Sequence, residues 1–324
     1  MRRVKNIISR RQVMTHPRPR ISYAFMVILL ATALVVLSIP KVAEALELYE
    51  QRKNFKLSAS AIHQFDTNLD KGGDFSVNRY LFRLGWNKKI SETFHAGVSV
   101  HYDLHDYSFS ETADFRHLKT FKNLQSLGLG TRIMYTIDED WRLVVIPSIE
   151  FSGESGADLG DSLIYGGIVS AGYRVSPNLM LGAGVGIFSR LEEVSYFPMV
   201  VIDWNITEQL RLSNPFHGGP TGPAGLELSY ALDQSWEIAF GGAYRSLRFR
   251  LNDEGIASNS IFQEKAVPVW GRITSRFGSQ VKVDLNAGAF LSGKLKIENQ
   301  DGHEISEDQY DAAPFIALTV SLTF

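Results

Sequence analysis

The sequence predicts an all-β protein, a single closed antiparallel transmembrane β-barrel of about 14 strands, within a range of roughly 12 to 16. Three observations support this fold class. Apolar residues recur at every second position over strand-length segments, the connections alternate between short and long, and aromatic residues mark both ends of the segments. The barrel must be closed, because the hydrocarbon core of a membrane offers no hydrogen-bond partner to a free strand edge.

Residues 1–45 are predicted to be a signal peptide, which leaves residues 46–324 as the barrel domain. Seven Arg or Lys residues precede an apolar run at 24–39, and Ala43-Glu44-Ala45 follows it. A basic region, an apolar region and a small-x-small site in this order are typical of a cleaved export signal, so Ala43 and Ala45 mark the predicted cleavage site. A retained membrane anchor is the alternative, because the run is close to the lower length limit of a spanning helix.

The charge balance after cleavage argues against a nucleic-acid partner. The chain carries 33 Lys or Arg and 35 Asp or Glu; without residues 1–45 these numbers become 25 and 34, a net charge of −9. Such a domain has no basic excess to attract phosphates. The chain contains no cysteine, so disulfides cannot stabilise the exported domain. Phosphate-binding loops, zinc-protease motifs and dinucleotide fingerprints are absent from the sequence, and we expect no cofactor and no metal.

The strands follow in order from the alternation. In the third segment, for example, Phe94, Ala96 and Val98 alternate with His95 and Gly97. Strands are predicted at 54–64, 77–86, 94–104, 127–137, 141–151, 163–175, 179–188, 196–205, 210–214, 226–232, 236–250, 266–277, 281–292 and 314–324.

The connections between these segments predict the orientation of the barrel. They are short at 87–93, 138–140, 176–178, 205–209, 233–235 and 278–280, and longer at 66–76, 105–123, 152–162, 189–195, 214–225, 252–263 and 293–313. Short periplasmic turns and long extracellular loops are typical of transmembrane barrels, and an even number of strands puts both termini in the periplasm.

Aromatic residues support the same orientation. Trp86, Trp141 and Trp236 lie where a strand meets a short turn, whereas Tyr102 and Tyr165 lie toward the long loops. Two such belts are typical of rings at the two interfaces of a bilayer. The alternative fold is a soluble β-sandwich or propeller, in which the apolar face of each strand would form the core.

A few residues interrupt the pattern. Pro147, Pro198 and Pro268 fall inside predicted strands. Because proline removes a ladder hydrogen bond, each is predicted to mark a bulge or a misplaced boundary. Trp270 falls on the polar face of its strand, which indicates a register slip near Pro268.

The last strand carries a resemblance to a known class. Apolar and small or polar residues alternate through its final segment, and Phe324, Leu322 and Val320 share one face. This strand resembles the closing strand of Gram-negative outer-membrane β-barrels, and the whole chain resembles uncharacterised porin-like barrel families. The resemblance implies that these three residues form a signal for the barrel-assembly machinery. It also implies periplasmic chaperones, a location in the cell outer membrane, and contact with outer-membrane lipids and lipopolysaccharide, and it leaves the oligomeric state open.

The inner face of the barrel predicts the function. About fourteen strands enclose more space than a filled eight-stranded barrel and less than a large porin. The residues predicted to line the lumen are charged, with a basic excess: Arg79, Arg83, His101, Asp103, Arg132, Glu150, Arg174, Arg245 and Arg272. A porin-like pore for small polar or anionic solutes is the favoured interpretation. The alternative is that these charges pair across strands in a non-conducting envelope barrel that serves as a scaffold, an adhesin or a lipid-modifying enzyme.

One constellation resembles catalytic chemistry. Ser99, His101, Asp103 and His105 project from one face of one strand. Alternate side chains of a strand point in parallel, whereas a nucleophile and its base must converge within hydrogen-bond reach. We therefore expect lumen polarity at these positions and no enzyme activity.

Overall fold

The computed structural model describes residues 54–110, 123–214, 224–254 and 257–324. The predicted signal peptide and its cleavage residues Ala43 and Ala45 lie outside these ranges. Every regular element within them is a strand: β1 (Phe55–Asn68), β2 (Asp74–Lys89), β3 (Phe94–Phe109), β4 (Asn123–Thr136), β5 (Trp141–Glu154), β6 (Leu163–Ser176), β7 (Leu179–Arg190), β8 (Val194–Asn205), β9 (Leu210–Ser213), β10 (Ala224–Ala231), β11 (Trp236–Arg250), β12 (Ile261–Phe277), β13 (Val281–Glu298), β14 (Glu304–Tyr310) and β15 (Ala313–Thr323). In the described part of the chain, no helix is long and apolar enough to span a membrane.

The strands form a closed antiparallel barrel, as predicted. Each strand from β1 to β13 pairs with the next one along the chain, and β15 pairs with both β13 and β1. The strand β14 extends the same wall, because it pairs with the outer part of β13 and Tyr310 forms a bridge to Leu69 just beyond β1. Counted with β15 as one interrupted strand, β14 completes a barrel of 14 strands. A sheet that closes on itself is neither a sandwich nor a propeller, so the soluble alternatives are wrong.

The outer face of the wall is apolar. Leu84, Val100, Leu129, Val185 and Leu228 are between 39% and 48% exposed, and they lie on alternate positions of strands all around the barrel. Their neighbours in sequence face the interior. Large aliphatic side chains that point away from the protein at so many positions fit a lipid environment and not water.

Interruptions of the strand pairing coincide with the three prolines. The pairing of β4 with β5 is interrupted at Pro147, and the pairing of β12 with β13 shifts register just before Pro268. Pro198 pairs only with β7 among the described residues. The register shift expected near Pro268 is present, but it does not turn Trp270 outward: Trp270 lies inside the barrel, where Gly241 makes room for its ring and Glu227 accepts its indole N–H at 2.9 Å.

Several strands are longer than predicted at the end assigned to the long loops. Much of 66–76, 189–195 and 293–313 is strand, and the turns that remain in these regions are short. These extensions lack the outward apolar residues from which strands were predicted, because β14 is largely polar and the apolar residues Leu295 and Ile297 of β13 point inward. The predicted boundaries of these strands therefore lie too close to the centre of the barrel.

The interior is packed at this same end. Phe75, Tyr107, Phe249, Phe262 and Phe290 are at most 1% exposed and belong to one apolar cluster. They come from β2, β3, β11, β12 and β13, so the cluster joins separate parts of the wall across the lumen. We call this half of the interior the packed end.

The outer parts of β11 to β14 lean across the barrel opening and close it. Arg250 of β11 forms a bridge to Gly153 of β5, a strand on the far side of the wall, and Ser152 donates a hydrogen bond to the Arg248 carbonyl at 2.7 Å. We call these outer parts, residues 246–254, 257–264 and 294–310, the cap. Its tip reaches further still, because Ile261 packs with Ile164 and Leu191 beside β6 and β8.

Candidate functional site in the barrel interior

A cavity of about 880 Å³ occupies the interior beside the packed end. Its lining is strongly cationic, because among the residues that the structure describes eight Lys or Arg side chains border it against three Asp or Glu side chains. The bases are Lys56, Arg79, Arg83, Arg132, Arg142, Arg190, Arg211 and Arg245, and the acids are Asp103, Glu150 and Asp203. Because a low-dielectric wall strengthens the field of fixed charges, this excess favours anions in the cavity.

Some of these charges are paired across the wall. Arg83 of β2 donates two hydrogen bonds to Asp103 of β3, at 2.6 and 3.0 Å. His101 of β3 reaches over β4 to Glu150 of β5, with 2.9 Å between its Nε2 and the carboxylate. Gly128 of β4 permits this reach, since a Cβ there would overlap the imidazole ring. These pairs hold β2 to β5 together but leave part of the positive charge uncompensated.

Three cations around the cavity form no ion pair and no hydrogen bond with an acid in the described part of the chain. They are Lys56 of β1, Arg132 of β4 and Arg142 of β5. Arg190 donates to the Ser246 carbonyl at 2.7 Å and so contacts the cap, and Glu193 and Glu150 lie near enough to act on its charge. A guanidinium group that faces a water-filled space without a carboxylate is free to bind an anion from solution.

At the boundary with the packed end, a single carboxylate holds the interior together. Glu264 of β12 is fully buried and accepts hydrogen bonds from Arg79 at 2.9 Å and from Arg245 at 3.0 Å. The hydroxyls of Tyr310, at 3.0 Å, and Tyr107 donate to it as well. This Glu264 cluster links β2, β3, β11, β12 and β14. Sequence reasoning missed it, because Tyr107 and Tyr310 lie in regions predicted as loops and Glu264 lies directly after another.

A second network lies within the wall of β10 to β13. Arg272 donates to Glu227 at 2.6 Å, to Glu237 at 2.8 Å and to Asp284 at 3.2 Å. Arg276 also contacts Glu237, at 2.7 Å. In this sector the charges neutralise one another across neighbouring strands, which is the pattern that the alternative interpretation of the sequence expected for the whole lumen.

The residues predicted to line the lumen thus fall into four groups. Arg83, His101, Asp103, Arg132 and Glu150 border the cavity itself. Arg79 and Arg245 border it too, but they are held by Glu264 at the packed end. Arg272 belongs to the wall network, and Arg174 is exposed near the end of β6, away from the cavity lining.

The side chains that resembled catalytic chemistry are engaged separately. Asp103 is held by Arg83 and His101 by Glu150, so neither acts on the other. His105 is buried against Phe249 of the packed end, with 5.2 Å between the ring centroids. No group of three or more His, Cys, Asp or Glu in the described ranges is placed to hold a metal ion.

The residues of the predicted assembly signal close the barrel. Phe324 exchanges two backbone hydrogen bonds with Phe55, at 2.8 and 3.0 Å, and the two rings stack with centroids 5.9 Å apart. Leu322 and Val320 pair with Leu57 and Ala59 of β1. The aromatic terminus therefore lies at the seam between the first and last strands.

Residues 88–322 match the family model described as "Domain of unknown function (DUF6268)". The match covers well over half of the sequence. The chain belongs to the DUF6268 family. None of the curated proteins matches the DUF6268 chain.

Several solved outer-membrane proteins resemble the DUF6268 barrel in architecture. The COG4313 outer membrane channel from Pseudomonas putida F1 is 11% identical, with a TM-score of 0.49 over 84% of this chain and 96% of that chain. A Pseudomonas aeruginosa FadL homologue is 9% identical, with a TM-score of 0.45 over 84% and 90%. The P. putida toluene transporter TodX is 11% identical, with a TM-score of 0.42 over 84% and 89%.

Proposed function

We propose that this barrel is a porin-like outer-membrane channel for small anionic solutes, which occupy the cationic cavity. The excess of eight basic over three acidic side chains in the lining carries this proposal. Fixed positive charge on a low-dielectric wall raises the local concentration of anions and repels cations, and a ring of basic side chains is a common origin of anion selectivity.

We further infer that residues 1–45 direct export and are removed after Ala45, and that Phe324, Leu322 and Val320 are read by the barrel-assembly machinery. The apolar outer face supports a lipid environment on all sides of the wall. The absence of cysteine fits a fold that gains its stability from closure of the sheet and not from disulfides. Lipopolysaccharide would then surround the cap.

The cap separates the cavity from one side of the membrane in this conformation. A solute that crosses must pass while the cap, with the packed-end side chains that it carries, has moved away from the far wall, so we expect brief openings between long closed periods. Gating by segments that fold into or across a lumen needs a two-state element. We assign that role to the cap, because its polar contacts with the far wall, such as the Arg250–Gly153 bridge and the Arg248–Glu193 ion pair, can break and form again.

Single-channel recording on the refolded protein in planar bilayers tests the proposal. Under a potassium chloride gradient, we expect a reversal potential that reports chloride selectivity. The double variant Arg132→Gln and Arg142→Gln should lower the chloride-to-potassium permeability ratio about twofold or more, because it removes two unpaired cations from the cavity. Arg174→Gln is the matched control, since it removes a cation outside the cavity lining.

A heat-modifiability gel confirms first that each variant has formed a barrel. Correctly folded protein that conducts no ions at any voltage would contradict the channel and favour a non-conducting envelope barrel. Equal shifts for the double variant and for Arg174→Gln would show that selectivity does not arise in the cavity.

A further inference from the structure

One sector of the cavity wall is apolar although it faces the lumen. Ile146 of β5, Ile168 of β6 and Phe197 of β8 border the cavity and follow one another across the sheet, with only Gly186 of β7 between the last two. Val144 and Met199 add to it in the adjacent register row. We call these five residues the apolar sector. The lumen of a barrel that carries only polar solutes is ordinarily lined by polar side chains.

Glycines of β7 flatten this sector. An added Cβ at Gly186 would overlap the Phe197 ring, and one at Gly184 would lie 3.1 Å from Met199 Cγ. The ring and the thioether chain therefore lie over the β7 backbone. Phe188 stacks against Phe197 with 5.7 Å between centroids and only 4° between the planes, which holds the ring in place. The result is a broad apolar surface, to which a flexible methionine adds the capacity to adapt.

The unpaired guanidinium groups lie at one border of the apolar sector. Arg142 precedes Val144 by two positions on the same face of β5. Arg132 lies on β4, next to the stretch of β5 where pairing with β4 is interrupted at Ile146 and Pro147. A ligand that spans this border meets positive charge at one end and apolar side chains at the other.

We propose that the cavity binds an amphipathic monoanion, a carboxylate that carries an apolar ring or a short apolar chain. This inference rests on the proposed channel function and names the solute class. Arg132 and Arg142 receive the carboxylate through charge-assisted hydrogen bonds, and the apolar part covers the apolar sector and displaces water from it. The cavity of about 880 Å³ is within the size range of small-molecule sites, roughly 300 to 1,000 Å³.

Binding of four probes to the refolded barrel in lipid nanodiscs tests the inference. Benzoate has both the ring and the charge, acetate has only the charge, benzyl alcohol has only the ring, and benzylamine has the opposite charge. Empty nanodiscs provide the correction for uptake by lipid. We expect benzoate to bind at least about tenfold more tightly than acetate or benzyl alcohol, and benzylamine to bind no more than empty nanodiscs do.

Two variants assign the two halves of the site. The double variant Arg132→Gln and Arg142→Gln should weaken benzoate about tenfold and leave benzyl alcohol unchanged, whereas Ile168→Asn should weaken benzoate and leave acetate unchanged. Arg174→Gln should leave all four probes unchanged. Should Ile168→Asn fail to form a barrel, Ile146→Ser removes apolar area from the same sector.

The outcomes separate this inference from the channel itself. Acetate binding as tightly as benzoate would overturn it in favour of a site for simple anions, and benzyl alcohol binding as tightly would overturn it in favour of a site for neutral apolar compounds. Chloride-selective conductance without any preference for benzoate would leave the channel standing and refute the amphipathic site. A preference for benzoate in a barrel that never conducts would support the site and refute the channel.

Discussion

The two halves of the barrel interior differ in packing and in charge although many of the same strands form both. At the packed end, aromatic and aliphatic side chains exclude water, and the buried charges converge on Glu264. In the cavity, cations outnumber acids and three of them form no ion pair with an acid among the described residues. In the described strands, the outer face between the two ends of the wall is apolar all around the barrel, since lipid imposes one requirement there. The interior is free to vary, so one half serves stability and the other half is available for a solute.

Arg79 and Arg83 make this contrast measurable within one strand. They lie four positions apart on the inner face of β2, and each donates two hydrogen bonds to one carboxylate. The side chains of Arg79 and Glu264 are 1% and 0% exposed, whereas those of Arg83 and Asp103 are 30% and 15% exposed. If burial governs the strength of such ion pairs, neutralisation of the carboxylate must destabilise the fold more in the Arg79 pair than in the Arg83 pair.

The largest effect is expected from Glu264→Gln. The variant keeps the shape of the side chain but leaves Arg79 and Arg245 buried without a counter-charge, which destabilises a fold by about 3 to 5 kcal/mol. The urea midpoint of the refolded barrel and the temperature at which it loses heat modifiability should both fall. Since Glu264 also joins the cap to β2 and β3, the same variant should lengthen the open periods in bilayer recordings. An unchanged midpoint would show that the packed end does not depend on this carboxylate.

A packing test separates the two halves without charge. Phe262→Ala empties a fully buried position of the packed end and should cost about 3 to 5 kcal/mol, whereas Phe197→Ala acts on a partly exposed ring beside the cavity and should cost about 1 to 2 kcal/mol. The same urea titration measures both. Equal losses of stability would mean that the cavity wall is packed as tightly as the packed end.

Much of the wall could be predicted from the sequence, because lipid selects a side chain at every second position. Each of the fourteen predicted segments overlaps an observed strand, including the four-residue β9. The cap could not be predicted. Residues 304–310 are largely polar and do not face lipid, so they show no apolar alternation that would predict a strand. They fall within the connection predicted at 293–313.

The sequence predicted which side chains point into the interior, but it did not predict which of them pair. The alternation put Arg79 and Arg245 inside, and they are inside. Their shared partner Glu264 is 185 residues from Arg79 in sequence, and no local pattern connects positions so far apart. Trp270 shows the same limit, since only the glycine at 241 on the neighbouring strand explains why a tryptophan fits on the inner face.

The smallest effect is expected from Asp103→Asn, the counterpart of Glu264→Gln on the same face of β2 and β3. Water reaches both partners, so the loss of the pair should cost no more than about 1 kcal/mol. The functional effect should be the reverse of the structural one. Asp103 is one of three acids that border the cavity in the described ranges, and its neutralisation releases Arg83, so the chloride-to-potassium permeability ratio should rise. The urea midpoint of the variant tests the expected stability, and its reversal potential tests the expected selectivity. A midpoint that falls as far as that of Glu264→Gln, with selectivity unchanged, would mean that the cavity charges hold the wall together and do not select solutes.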